Sequence, residues 1–161
     1  MAEYSVKSED RKTFSFATND NFIGDLIYQQ RYILKADILL ANNLRYQFQP
    51  KGDSATTIEL KDNENILLNF KMNSRGNITI NTKLDNIENH YIFKHTGVFK
   101  STYTLTDSEE EELLVVQTDF KWDKFNQDYN ISTSDTFDKF KTKDILLLTV
   151  IHCINYYQYL S

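Results

Sequence analysis

The residues with chemistry to offer are few. His90, His95 and His152 are the only histidines and Cys153 the only cysteine in 161 residues. His90 and His95 stand five positions apart with no third ligand at matching spacing, so a metal pair is not expected. His152 and Cys153 are adjacent, which on a helix turns their side chains about 100° apart and prevents a nucleophile–base dyad. They read instead as a core histidine held by a backbone carbonyl and a small buried hydrophobe. Asp135, Asp138 and Asp144 lie close in sequence without the spacing or the glycine of a calcium loop. Asp135 with Asp138 is the carboxylate couple that an acid–base enzyme could use, and no orienting histidine accompanies it. Glu109–Glu112 reads as a solvated hairpin tip. With only 4 glycines, a phosphate-cradling loop is not expected, and no nucleophile-elbow, dinucleotide or zinc-protease pattern occurs. The expectation is a chain with no catalytic residues, no metal and no cofactor.

A second group offers contact rather than catalysis. Phe120, Trp122, Phe125 and Tyr129 interleave with Lys121 and Lys124. Rings set among lysines can stack on bases or sit at a membrane interface. Phe120 and Trp122 also share one face of a strand, which is the core-packing reading. Lys121, Trp122, Lys124, Phe125 and Tyr129 are the candidate surface or ligand contacts. Tyr156, Tyr157 and Tyr159 suit a helix end that emerges at a barrel mouth.

The elements that would position these residues are short and mostly extended. Lys12–Phe16, Leu44–Phe48, Thr57–Leu60, Ile66–Met72 and Ile78–Thr82 alternate or are rich in β-formers. Turn chemistry separates them at Pro50–Asp53, Lys61–Asn65 and Asn73–Asn77. Tyr91–Lys94, Val98–Leu105, Leu113–Gln117, Phe120–Phe125 and Tyr129–Thr133 continue the pattern. Phe22–Tyr28, interrupted by Gly24, reads as strand or turn, and Tyr32–Leu40 as strand or short helix. Residues 1–10 read as a flexible N-terminal arm, and 11–161 as one domain. The last segment differs. Ile145–Leu160 is apolar on nearly every side at its start and too long for an ordinary strand, so a buried helix over about 143–160 is expected. His152, Asn155 and Gln158 and the short run argue against a membrane span.

Composition narrows the class. A −5 net charge disfavours a duplex nucleic-acid binder, which needs a cationic face. One cysteine excludes an intrachain disulfide and multi-cysteine zinc sites. Met1–Asp10 lacks the apolar core of a signal peptide, so a cytoplasmic setting, peripheral to a membrane if lipid is the ligand, is expected. The glycosylation sequons at Asn77 and Asn130 then read as chance.

Many strands followed by an apolar helix implies that the strands enclose the helix. The helix Ile145–Tyr159, the pair Tyr91–Lys94 with Val98–Leu105, and Leu113–Gln117 followed by Phe120-Lys121-Trp122 carry a resemblance to the tubby C-terminal-like superfamily, including LURP-one-related and phospholipid-scramblase-like proteins. The resemblance implies a mainly β fold: an antiparallel β-barrel of about 10–12 strands enclosing a hydrophobic C-terminal helix. Tubby domains bind phosphoinositides through a cationic patch. This chain is acidic, with dispersed Lys and Arg, and it lacks the Cys-rich stretch of scramblase-like members, so the ligand does not carry over with the fold. The expected function is a non-enzymatic binding or scaffold domain whose partner is a lipid surface or another protein. The alternative is a small-molecule carrier with an apolar cavity inside the barrel and the helix outside it.

Overall fold

The computed structural model describes residues 1–29, 34–53, 56–96, 102–120 and 127–160. Among these residues the chain forms twelve strands, two α-helices and one 3-10 turn at Leu84–Asn86. The strands are β1 (Glu3–Lys7), β2 (Thr13–Thr18), β3 (Asn21–Ile27), β4 (Ala36–Leu40), β5 (Arg45–Pro50) and β6 (Thr57–Asp62), followed by β7 (Asn65–Met72), β8 (Ile78–Thr82), β9 (Asn89–Thr96), β10 (Thr102–Thr106), β11 (Glu112–Phe120) and β12 (Gln127–Thr133). The helices are the single turn α1 (Asp135–Asp138) and the long α2 (Lys143–Leu160). Each strand pairs antiparallel with its sequence neighbours, and β1 pairs with β12, which closes the barrel.

The arm expected at residues 1–10 is instead the strand that completes the ring. Tyr4 and Val6 are buried and alternate with Glu3, Ser5 and Lys7, a period-2 pattern masked in the sequence by its charges. Without it β2 and β12 would both expose unpaired edges. Of the two ambiguous segments, the first forms β3 and the second contributes Ala36–Leu40 as β4, with Tyr32 and Ile33 outside the described residues. Burial of Ala36, Ile38 and Leu40 on one face decides β4 against a helix.

Register keeps the core contiguous around the wall. Val6 faces Phe16, Phe48 faces Leu60, Phe70 faces Ile80, Phe93 faces Leu105, and Val116 faces Ile131. All ten are buried. A twelve-strand barrel with strands roughly 4.8 Å apart is about 22 Å across between backbones. Two layers of inward side chains leave roughly the 10–12 Å that a helix occupies.

α2 fills that space. Every residue from Ile145 to Tyr156 is buried, so no side of the helix meets water over three turns. Only a helix suits such a site, because its backbone donors and acceptors are satisfied internally. It lies nearest β3 and β4. Those strands present the small inward residues Gly24 and Ala36, whereas Phe70, Phe93 and Tyr103 line the far wall. A Cβ on Gly24 would stand 2.9 Å from the Leu39 carbonyl oxygen and 3.2 Å from Leu40 Cα, so this position has no room for a side chain.

α2 enters at one end of the barrel, here the near end, after a connection in which Ser134 caps α1 by accepting from the Phe137 amide. It finishes at the far end, where the Tyr157 hydroxyl donates to the Gly76 carbonyl at 3.0 Å and lies 3.1 Å from that of Phe93.

Candidate functional site

Polar side chains sealed in the barrel form the densest group of reactive types. Thr149, His152 and Asn155 recur at three-residue steps along α2, an otherwise apolar helix. Thr149 returns its hydroxyl to the Ile145 carbonyl at 2.7 Å and is thereby satisfied within the helix. His152 and Asn155 converge on Tyr28, which follows β3. The Asn155 amide donates to the Tyr28 hydroxyl at 2.8 Å, and that hydroxyl shares a hydrogen bond with His152 Nδ1 at 2.5 Å. In the Nε2–H tautomer Nδ1 accepts the hydroxyl proton, which gives the phenol both a donor and an acceptor partner. Nε2 has no hydrogen-bond partner among the described residues, and the Leu34 carbonyl is the backbone group that favours its proton.

Rings wall this group in. His152 stacks on Phe48 at 4.3 Å between centroids and meets Phe70 edge-on at 5.7 Å. Phe14 packs edge-on against Tyr28 at 5.9 Å. Burial pushes the His152 pKa down to about 3, with the Leu34 carbonyl opposing. Burial raises the Tyr28 phenol, against the Asn155 hydrogen bond, and raises the Cys153 thiol. At neutral pH the cluster therefore holds a neutral imidazole, a neutral phenol and a thiol, none of which touches solvent. What this arrangement does is orient: its directional bonds are made at one rotation and one depth of α2.

The other sequence candidates are dispersed. His90 accompanies Asn81 at 2.5 Å on the outer wall, and His95 leans on Tyr103 at 4.8 Å between ring centroids. The two histidines lie an odd number of positions apart on β9, so they point to opposite faces. Asp135 and Asp138 receive the chain's N-terminal ammonium, and Asp138 also accepts from the Thr133 hydroxyl. Asp144 is partly buried, and its carboxyl pKa is raised by burial, with Lys143 opposing. Among the described residues no group of three or more His, Cys, Asp or Glu side chains is arranged to hold a metal ion. Glu109 and Glu111 sit in the tight β10–β11 turn, where both amides bond to Asp107.

Lys121, Trp122, Lys124 and Phe125 lie outside the described residues. Tyr129, the fifth member of that group, is buried inside the wall beside Phe14 and cannot reach a surface partner. Of the tyrosines at the helix end, Tyr156 is buried, Tyr157 latches the far end and Tyr159 is exposed. Sequence reasoning missed Tyr28 and Asn155. The three-residue recurrence of polar positions in α2 was the signal for Asn155. Nothing local marks Tyr28, which meets α2 across 124 residues.

No helix among the described residues is long and apolar enough to cross a membrane. A comparison with protein-family models, curated proteins and solved structures finds no match to this chain.

Proposed function

We propose that this chain is a non-enzymatic binding or scaffold domain of tubby/LURP-one-like architecture that works through its outside. The supporting observation is the burial of α2 from Ile145 to Tyr156, which commits the lumen to the protein's own side chains. A carrier needs that volume for its ligand. The Tyr28–His152–Asn155 cluster is buried, and its Tyr28 hydroxyl, His152 Nδ1 and Asn155 amide bond to one another, which supports a role in holding the helix. The surfaces left for a partner are the hairpin connections and the outer wall.

Native mass spectrometry of gently purified protein tests this reading. The expected mass is that of the chain alone; a retained small molecule would favour the carrier. Vesicle co-sedimentation tests a lipid partner separately. Binding that rises with anionic lipid and falls with salt supports it, and no binding at low salt removes it.

A further inference from the structure

We draw no further inference here: the strongest candidate, the buried Glu59 side chain in the polar row that Gln49, Glu59, Asn69, Asn81 and His90 form across the outer wall of β5–β9, carries nothing, because Lys61 and Lys71 stand beside it on the same face and nothing in the structure shows a ligand that its charge would take.

Discussion

The sealed interior around His152 and the bare rim at the near end are built from the same strands. β3, β5 and β7 contribute Leu26, Phe48 and Phe70 to the one, and β3 and β7 carry Phe22 and Ile66 into the other. The residue types do not distinguish them. What differs is the cover and, for Phe22 and Ile66, the face of the strand. Over the interior stretch α2 is present and is apolar all round, so the inward stripe meets a dry surface. Past the near end α2 has not begun, and residues 134–142 span only part of the opening. Burial in this barrel is thus set by the position of the helix and by bulges in β3 and β7, which pair Phe22 with Ala17 and Ile66 with Lys61 on the outer face, not by how hydrophobic each strand is.

Substitutions should separate the two regions by size of effect. Leu147→Asp places a carboxylate in the dry centre of the barrel and should cost several kcal/mol, enough to unfold the domain. A variant with near-wild-type melting would mean that α2 is not needed inside.

Acid should act nearly as strongly. His152 binds its proton at about pH 3 in the fold and near 6.5 when unfolded. The unfolded chain therefore takes up more protons below pH 6.5. The stability tied to neutral His152 is whole above that pH and is lost as the pH falls from 6.5 to about 3, of the order of 5 kcal/mol in all. Urea denaturation at stepped pH should show this loss, and His152→Gln should flatten it. An unchanged pH profile in the variant would place the acid sensitivity elsewhere.

Tyr28→Phe should cost about 1–3 kcal/mol, because it leaves the Asn155 amide and His152 Nδ1 buried without their partner. A loss this large that vanishes when Tyr28→Phe is made in an Asn155→Leu, His152→Phe background would assign it to the hydrogen-bonded cluster itself. Gly24→Ala should cost about 1–3 kcal/mol as its methyl meets the Leu39 carbonyl. At the small end, Ile66→Asn, on the outer face beside Lys61, should change stability by no more than about 0.5 kcal/mol in urea denaturation. A larger loss of stability there would make the rim part of the core and would erase the contrast between the two regions.

Much of the architecture was legible in the residues. Alternation in Lys12–Phe16, Thr57–Leu60 and Ile78–Thr82 reports a wall with one dry face, since successive side chains on a strand point to opposite sides. The helix bounds, 143–160, were legible because an apolar run that long, with Asp144 in its first turn, has few other conformations open to it. β1 was hidden because three of its five residues are polar, and its two apolar ones gain meaning only once β12 lies beside them. The chemistry was legible mainly as an absence of motifs, and the candidate contacts around Trp122 drew on ring-and-lysine spacing that fits a surface or a core equally well.

By itself, then, the amino-acid order determined the class of each local element and the existence of a helix that water must not touch, because these follow from periodicity and from which backbone can satisfy its own hydrogen bonds. Tertiary structure alone decided three things: that Glu3–Lys7 closes the ring, that Tyr28 reaches His152 and Asn155, and that bulges in β3 and β7 turn Phe22 and Ile66 to the outer face beside Ala17 and Lys61. The first two depend on distances between segments far apart in the chain and the third on strand register, and no local pattern encodes the axial position of a helix within its barrel.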